Sequence, residues 1–538
     1  MNWKTVSIRG RRWLAERRIN SQIARVEDYL STLERENALE NGNQPVIFFN
    51  ASTRIHRVSL NAAYSLVASW GIRARKIPAR YLVCWQGMDQ CVLGVISKGV
   101  SGTPPCRGCT SLSRRLFPAR HTTRLIGDQP APELQEALGD LSIDQMMNFE
   151  RGGYPLGQIC LPSVRWVLRR HTLQEDQVTG RLYQRYLMAS ASLLGPLKKT
   201  FELEQPRALV VFNGLTFPEA TAREVASRMG IPVVTHEVGI RPFSAFFSHE
   251  EATFRQVMFG DDFQLGQAEN ERLDAYLSQR FKGRFSMAGV QFWPEMTALP
   301  DWLQQKIMQH EQMVAVFSNV IFDTSQVYAN TLFRDMFAWL DDVLRVASAH
   351  PKTLFIIRAH PDEDRPGKAS QESVAAWAEQ RGITRHPNVV FFPPSEYVSS
   401  YDMMQTAKFT LVYNSSIGLE GTLMGRPVLA AGRSRYTQIP TVFYPADRKQ
   451  YDQMLSSFLT DESLNVPDEF VQNARRFFYF EMFHASLDLS PFMDSYPYSR
   501  YDVVFKPFNP ATAFQESRAL NTIVDGILDQ TPFYEGKP

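Results

Sequence analysis

The sequence predicts an α/β protein made of two Rossmann-like, doubly wound domains that face each other across a cleft. Two series of short apolar runs support this fold, because each run is followed by a polar turn and then by helical spacing. The length of 538 residues fits two large domains with extra helices, and 44% hydrophobic residues can supply both cores. We expect helical additions at the N-terminus, in the first domain and at the C-terminus.

The charge balance and the hydropathy pattern exclude several classes of protein. Lys and Arg number 58 against 56 Asp and Glu, so the formal net charge of +2 lacks the basic excess of a nucleic-acid binder. No apolar stretch approaches the roughly 18 residues of a membrane-spanning helix, and the N-terminus lacks the apolar core of a signal peptide. We therefore expect a cytoplasmic protein with no nucleic-acid partner.

Residues 1–42 form a separate helical segment that is basic and aromatic at its start. Its basic residues are Lys4, Arg9, Arg11, Arg12, Arg17 and Arg18, with Trp3 and Trp13 among them. An apolar stripe with helical spacing follows at Ile19, Ile23, Val26, Leu30 and Leu33. Two alternatives explain the segment: a peripheral contact with an anionic membrane surface, or a helix that docks on its own protein.

The first Rossmann-like domain is predicted over residues 43–290. Strand-like runs occur at 46–50, 79–84, 208–214 and 231–239, and helical spacing lies between them. Residues from about 110 to 200 show charged and helical patterns without a clear strand, so we expect a mostly helical insertion there.

The second domain is predicted over residues 313–450, after a linker at 291–312. Five βα repeats begin with strand-like runs at 314–319, 353–358, 389–392, 409–413 and 428–432. Residues 451–538 carry further helical patterns, and we expect the last helix to cross back to the first domain.

Polar residues follow the strands of the second domain, where parallel sheets bind their ligands. These are Ser318, Asn319, Asp323, Arg358, His360, Pro361, Asn414, Ser415, Ser416 and Gly418.

The Asn-Ser-Ser-x-Gly sequence at 414–418 is the most informative of these clusters. It joins a strand to a helix and presents two hydroxyls with several backbone N–H groups, which predicts an anion site. Glu420 lies one helical turn beyond Ser416, in a position suited to a ribose hydroxyl pair. The alternatives are that Ser415 and Ser416 cap the helix, and that the helix dipole favours a first-turn carboxylate at Glu420.

His360 ends a strand and is followed by Pro361. A histidine there can donate a hydrogen bond to a leaving phosphate or titrate near neutral pH. The alternative is a structural histidine, since the same dipeptide recurs at His386-Pro387.

Several of these motifs resemble those of capsule-polysaccharide glycosyltransferases with the GT-B fold. They are Arg-Ala-His-Pro at 358–361, Tyr-Asn-Ser-Ser-Ile-Gly-Leu-Glu at 413–420, Met-Gly-Arg-Pro-Val at 424–428 and Phe-Ser-Asn-Val-Ile-Phe-Asp at 317–323. In the first half the resemblance includes Asn213-Gly214 and Thr-His-Glu-Val-Gly at 235–239. It covers most of residues 205–435.

The resemblance implies a nucleotide-sugar donor and a surface glycan or lipid-linked glycan as acceptor. The His-Pro and Ser-Ser motifs are similar to those of bacterial sialyl- and Kdo-transferases, which favours a CMP-sugar. By the same resemblance His360, Ser415 and Ser416 contact the donor phosphate, with Ser318, Asn319, Arg358, Pro361, Asn414, Gly418 and Glu420 around it.

The catalytic base is expected on the acceptor side of the cleft. Sialyltransferases carry a paired acidic motif followed by glycine in the first half, and the nearest equivalent is His236-Glu237-Val238-Gly239. Glu237 is the predicted base, with His236, Asn213 and Glu219 in reserve and Gly214 beside them. The alternative is that Glu237 is a structural carboxylate paired with Arg241.

Two further clusters of residues are candidates for metal binding. Asp362-Glu363-Asp364 matches the Asp-x-Asp motif that binds metal ions in some enzymes. A run of solvated charges explains these residues better. We therefore expect metal-independent chemistry with no cofactor. Four thiols can close a structural zinc site in the first domain, and the alternative is buried cysteines that are not linked. These thiols are Cys84, Cys91, Cys106 and Cys109, while Cys160 stands apart.

The sequence therefore predicts a glycosyltransferase. Two alternatives stay open: a nucleotide-sugar epimerase of the same fold, and a non-catalytic assembly scaffold.

Overall fold

The computed structural model describes residues 3–36, 44–51, 57–88, 90–91, 104–129, 131–249, 251–282, 296–365, 369–499 and 502–536. The described chain forms two main sheets, each packed between two layers of helices. The predicted α/β class with two doubly wound domains is confirmed.

The first sheet has seven strands. They are β1 (Val46–Phe49), β2 (Ala79–Gly87), β3 (Thr122–Ile126), β4 (Ala208–Phe212), β5 (Val233–Val238), β6 (Ser244–Ser248) and β12 (Leu487–Asp488). Their order is β12-β6-β5-β4-β1-β2-β3, and β3-β2-β1-β4-β5 is the parallel Rossmann order. β6 and β12 extend this sheet as antiparallel strands.

Eight helices before β5 surround this sheet in the described chain. They are α1 (Trp3–Glu36), α2 (Leu60–Ala74), α3 (Cys106–Leu116), α4 (Pro132–Gly139), α5 (Ile143–Met147), α6 (Leu156–Leu168), α7 (Gln177–Glu204) and α8 (Glu219–Arg228). The expectation of no clear strand between 110 and 200 is wrong at β3. This strand lies at the sheet edge, where only Leu125 of its five residues is buried, so it lacks an apolar run.

The second sheet has five parallel strands. They are β7 (Gln312–Phe317), β8 (Thr353–Arg358), β9 (Val389–Phe392), β10 (Phe409–Val412) and β11 (Val428–Ala430). Their order is β11-β10-β7-β8-β9, so the direction of winding reverses between β7 and β10. The strands are almost wholly buried, which explains their continuous apolar sequences.

The helices of the second half complete its two outer layers. They are α9 (Gln267–Arg280), α10 (Asp301–Met308), α11 (Met336–Ala349), α12 (Val374–Gln380), α13 (Ser400–Thr406), α14 (Ile417–Leu423), α15 (Arg448–Thr460) and α16 (Asp468–Phe480). Leu273 and Leu277 of α9 belong to the core of the second domain, although the sequence assigned this stretch to the first. α10 occupies part of the predicted linker, and residues 291–295 of that linker lie outside the described residues.

The chain returns to the first domain after α16. A single π-helical turn, Glu481–Ala485, leads into β12, which pairs with β6 of the first sheet. A hairpin follows, formed by β13 (Met493–Ser495) and β14 (Val503–Phe505), and then α17 (Pro510–Glu516) and α18 (Arg518–Asp529). α18 packs on α2, with Leu520, Ile523 and Val524 buried in the first core.

The long N-terminal helix α1 docks on its own protein. Ile19, Val26 and Leu30 are fully buried in the core that also contains α2 and the C-terminal helices. The apolar stripe is therefore occupied, and a membrane contact through it is excluded. Among the helices that the structure describes, none has the length and apolar character needed to span a bilayer.

Candidate functional site

The register of the second sheet brings three strand ends to one edge. Val412 of β10 pairs with Phe317 of β7, and Phe317 pairs with Arg358 of β8. Residues 413–416, 318–319 and 359–361 therefore leave the sheet side by side. The reversal between β7 and β10 opens the crevice in which doubly wound sheets bind ligands.

The loops after β7 and β10 are fixed to each other at this reversal. The backbone N–H of Asn414 donates to Asn319 Oδ1 at 3.3 Å, and Gln326 Nε2 donates to Asn414 Oδ1 at 2.8 Å. Asn414 Nδ2 donates in turn to the carbonyls of Ser325 and Arg433. Asn319 and Asn414 are thus both buried loop-forming residues, and their amides shape the edge of the crevice.

The side chain of Arg358 forms its hydrogen bond within the protein and does not face a nucleotide-sugar donor. Its side chain is buried, and Nη1 donates to the carbonyl of Glu396 at 2.9 Å. Burial lowers the pKa of Arg358 to about 10. Its own carbonyl accepts from the backbone N–H and the hydroxyl of Ser318, each at 3.2 Å. Arg358 and Ser318, both predicted to bind the donor, therefore hold the ends of β7 and β8 together.

His360 follows β8 and is half-buried. Its Nδ1 accepts from the backbone N–H of Asp362 at 3.1 Å, so the neutral ring carries its proton on Nε2. Burial lowers the pKa of His360, and Arg358 acts in the same direction, while Asp362 and Asp323 oppose them. His360 is therefore a neutral N–H donor near neutral pH. Pro361 begins a short 3₁₀ turn, Pro361–Asp364.

The two serines of the Asn-Ser-Ser motif differ in exposure. Ser416 is exposed at the start of α14 and makes no capping hydrogen bond with its side chain, so the capping alternative fails for it. Ser415 is buried, and its carbonyl accepts from Tyr436 Oη at 2.6 Å. A Cβ at Gly418 would lie 2.7 Å from that same Tyr436 oxygen, so glycine is required there for packing.

Glu420, which was predicted to bind a ribose, is instead engaged within the protein. Its carboxylate is buried and accepts from Arg280 Nη2 at 2.8 Å and from Tyr401 Oη at 2.5 Å. Burial disfavours the charged form of Arg280, but Glu420 outweighs this and raises the pKa of the guanidinium. A buried carboxylate needs such partners, and Arg280 lies 140 residues away in sequence, where no local pattern reveals it.

Glu237 lies at the matching edge of the first sheet. Asn213 Nδ2 donates to Glu237 Oε2 at 2.9 Å, and the backbone N–H of Val238 donates to Oε1 at 2.8 Å. Asn213 adopts a left-handed backbone with φ of +59°, followed by Gly214 at +77°. This turn after β4 holds the half-buried carboxylate in one orientation.

Two reserve candidates of the first domain are enclosed by the protein. His236 is 2% exposed and stacks on Phe247 with ring centroids 5.4 Å apart. Burial lowers its pKa to about 3. Glu219 is also 2% exposed, in the first turn of α8. Since β5 alternates its side chains, His236 points into the core opposite to Glu237, and neither His236 nor Glu219 can meet an acceptor.

A chain of contacts joins the carboxyl edges of the two sheets. Arg223 Nη1 donates to the carbonyl of Gly214 at 3.3 Å and to Glu251 Oε1 at 2.6 Å. Tyr328, in the loop after β7, donates to the same Glu251 oxygen at 2.5 Å. The loop after β4 and the loop after β7 therefore face each other. Sequence reasoning missed Glu251, Arg223 and Tyr328, because isolated residues in separate loops carry no motif.

A second set of hydrogen bonds joins the two domains at another place. Glu372 Oε2 accepts from the backbone N–H groups of His171 and Thr172 at 2.8 and 2.9 Å. The N–H of Gln371 donates to the carbonyl of Arg169 at 2.9 Å. The C-terminal end of α6 is thus fastened to the loop before α12.

Arg433 is an exposed cation beside the crevice that the sequence did not single out. Its carbonyl accepts from Asn414, its N–H donates to Ala329 at 2.9 Å, and its guanidinium lies 4.2 Å from the ring centroid of Phe254. The only feature of the sequence that points to Arg433 is its position directly after Gly432, in the loop that follows β11. It is better placed than the buried Arg358 to meet an anion.

The acidic run at 362–364 is only partly solvated. Asp362 pairs with Arg365 at 3.5 Å, whereas Glu363 is fully buried and accepts from the N–H of Val374. Burial raises the pKa of Glu363 to about 8. Part of this charge run therefore points into the protein, contrary to the prediction of a solvated run.

The four clustered cysteines lie close together in the structure. Cys84, Cys91, Cys106 and Cys109 line one small cavity beside Ala51. Within the described ranges, no three His, Cys, Asp or Glu side chains are placed to hold a metal ion. None of the five cysteines, all of them described, forms a disulfide. The four clustered cysteines are each half-buried, whereas Cys160 is buried. The structural zinc site stays a prediction.

Two doubly wound domains with facing carboxyl edges define a protein of the GT-B type. Residues 293–441, which include the whole second sheet and its crevice, match the family described as capsule polysaccharide biosynthesis protein. The resemblance indicated by the His-Pro and Ser-Ser motifs is confirmed for these residues. Its first-half portion, residues 205–292, lies outside the match.

Solved structures with similar chains include two transferases from Thermosulfurimonas dismutans. KpsC, beta Kdo 2,4 transferase, is 10% identical with a TM-score of 0.35, over 52% of this chain and 80% of that one. KpsC, beta Kdo 2,7 transferase, is 13% identical with a TM-score of 0.31, over 54% and 80%. UDP-GlcNAc 2-epimerase from Neisseria meningitidis is 12% identical with a TM-score of 0.25, over 81% and 98%. No curated protein matches the sequence.

Proposed function

We propose that this chain transfers a sugar from a nucleotide-sugar donor, with a CMP-sugar favoured, to a hydroxyl of a surface or capsular glycan. The observation that carries the proposal is the alignment of Val412, Phe317 and Arg358. This register brings His360 and the Asn-Ser-Ser loop to the two sides of β7. Residues matching a capsule polysaccharide biosynthesis family surround that crevice.

The donor phosphate is proposed to bind between these strand ends. His360 offers Nε2–H as a neutral donor, Ser416 offers an exposed hydroxyl, and Arg433 offers an exposed positive charge beside Asn414. Hydrogen bonds from such groups stabilise the negative charge that grows on the phosphate as the glycosidic bond breaks. In this proposal the chain's own residues neutralise the leaving nucleotide.

Glu237 is proposed as the base that activates the acceptor. Its carboxylate removes the proton of the acceptor hydroxyl while that oxygen bonds to the anomeric carbon and the bond from carbon to phosphate oxygen breaks. Asn213 holds the carboxylate through the 2.9 Å hydrogen bond to Oε2. The contacts from Gly214 through Arg223 and Glu251 to Tyr328 support a position across the cleft from the phosphate.

A donor screen tests the proposal. The purified chain of 538 residues is incubated with CMP-, UDP- and GDP-sugars, with and without a capsular glycan acceptor, and released nucleotide is measured. Release that requires acceptor supports transfer. Release or isomerisation of the sugar without acceptor supports the epimerase alternative, and an absence of nucleotide binding supports the scaffold alternative.

A matched pair of histidine variants tests the phosphate site. Loss of a hydrogen bond to a charged group costs about 1.5–3 kcal/mol, so His360→Ala should weaken nucleotide binding roughly 10- to 150-fold. His386→Ala is the control, because His386 is also followed by proline but lies after a 3₁₀ turn before β9, where its Nδ1 approaches Ser348. Equal nucleotide affinity in the two variants would exclude His360 from phosphate binding.

A further inference from the structure

The first half of α1 carries an exposed arginine face, which consists of Trp13, Leu14, Arg9, Arg11, Arg17, Arg18 and Arg25. Trp13 is 57% exposed and Leu14 is 55% exposed, so two large apolar side chains adjacent in sequence lie at the surface. The five arginines are exposed around them, and the Arg17 guanidinium lies 4.7 Å from the Trp13 ring centroid. Trp13 and Leu14 are therefore flanked by positively charged side chains.

No carboxylate among the described residues neutralises this positive charge. In the part of the chain that the structure describes, none of the five arginines forms an ion pair. The one carboxylate within this stretch, Glu16, is held by Arg115 of α3 at 2.6 Å. Since the whole chain has a formal charge of only +2, the arginine face is a strong local asymmetry.

The opposite side of the same helix fixes its orientation. Ala15, Ile19 and Ile23 are buried in the first core, so the helix is anchored without using its arginine face. Residues 13, 14 and 17 lie on the far side of the helix from this buried stripe. The face is thus held rigidly toward the outside.

We propose that the arginine face binds the surface of an anionic lipid bilayer. Trp13 and Leu14 enter the boundary between headgroups and acyl chains, and the arginines contact the anionic headgroups. The exposed Trp13 and Leu14 favour a lipid surface over a nucleic acid, which needs no apolar insertion of this kind on its phosphate backbone. This inference does not depend on the sugar-transfer activity.

Vesicle co-sedimentation of the full chain tests the charge contribution. Vesicles of phosphatidylglycerol and phosphatidylethanolamine should bind the protein, and phosphatidylcholine vesicles should bind it weakly. Each arginine near such a surface contributes about fivefold in binding, so Arg17→Gln with Arg18→Gln should weaken binding roughly 25-fold. The control is Arg181→Gln with Arg185→Gln, which removes the same charge from exposed positions on α7.

A second pair of variants tests the apolar contribution. Trp13→Ala with Leu14→Ala should weaken binding at least tenfold, because both side chains lose their burial in the bilayer. Leu203→Ala with Met308→Ala is the control, since those side chains are 80% and 77% exposed elsewhere. Unchanged thermal unfolding of all four variants verifies that the fold is kept.

Three results would overturn the proposal. One is equal binding of the wild-type chain to anionic and phosphatidylcholine vesicles. Another is vesicle binding by the arginine-face variants as tight as by their controls. The third is binding of double-stranded DNA without vesicle binding, which would assign the face to nucleic acid. Binding that weakens as salt is raised from 0.1 to 1 M supports the electrostatic part.

Discussion

The buried ion pair of Arg280 and Glu420 leads to a prediction that separates a structural role from nucleotide binding. The two side chains are 8% and 4% exposed, and Tyr401 donates a further hydrogen bond to the same carboxylate. The pair joins α9 to α14, which begins directly after the Ser-Ser motif. Glu420→Ala should therefore destabilise the second domain and leave its affinity for nucleotide unchanged.

The size of the effect follows from the burial of the pair. Removing one member leaves an uncompensated buried charge, which costs about 3–5 kcal/mol. For a unit of this size each kcal/mol lowers the unfolding temperature by about 2–4 °C, so the expected loss is roughly 6–20 °C. Replacing both members in Arg280→Met with Glu420→Leu should cost much less, because no charge is then left without a partner.

Thermal unfolding followed by tryptophan fluorescence measures the stability, and nucleotide titration well below the transition measures the affinity. The reasoning fails if Glu420→Ala unfolds at the wild-type temperature while its nucleotide affinity falls tenfold or more. That pair of results would restore the ribose-binding role and would place the carboxylate in the donor site.

Four further predictions concern other residues. Glu237→Gln should abolish sugar transfer and leave nucleotide affinity unchanged. Asn213→Ala should lower the rate of transfer more than the affinity for nucleotide, since Asn213 only positions the carboxylate. Equal activity of Glu237→Gln and wild type would contradict both predictions. The folded-state pKa of His236 is about 3 and its unfolded value about 6.5, so the unfolded chain binds the proton first and stability falls as pH drops from about 6.5 toward 3. His236→Phe should remove about 3 kcal/mol of this acid sensitivity, measured by denaturant unfolding at pH 4 and pH 7. Gly418→Ala should lower stability by about 1–3 kcal/mol because its Cβ would meet Tyr436, whereas Gly180→Ala on α7 meets nothing within 4 Å and should be neutral or stabilising in the same assay. Cys160 and Cys109, whose pKa values burial raises to about 12, should react slowly with a thiol reagent at pH 7.5 in the native protein and rapidly after unfolding.

The parallel strands of both sheets, other than β3, were predictable because they are largely buried on two faces. Continuous apolar runs such as the one ending at Arg358 locate them in the sequence, and the polar residues after them locate the ligand-binding edge. β3 could not be found in this way, because an edge strand with one buried residue has no such run. Local pattern therefore identified the buried parallel strands, and it missed β3 and the antiparallel strands β6 and β12.

The candidate site was predictable in its location and less so in its residues. His360 and Ser416 lie where the strand-end argument puts them, but Arg358, Ser318 and Glu420 turned out to hold the scaffold together. Those roles depend on partners such as Glu396 and Arg280, which are far away in sequence. A sequence motif shows which residue types are present. It does not show which of their side chains already form hydrogen bonds or ion pairs within the protein.

The return of the chain to its starting domain has a consequence for dissecting the protein. Leu520 and Val524 of α18 cover Gly71 so closely that a Cβ at that glycine would lie 2.7 Å from Val524. A fragment that stops after the second sheet would leave this apolar surface of α2 open to water, with Trp70 beside it. The core of the first domain is thus completed by a helix that follows the whole second domain in the chain, so this core closes only after α18 has been synthesised.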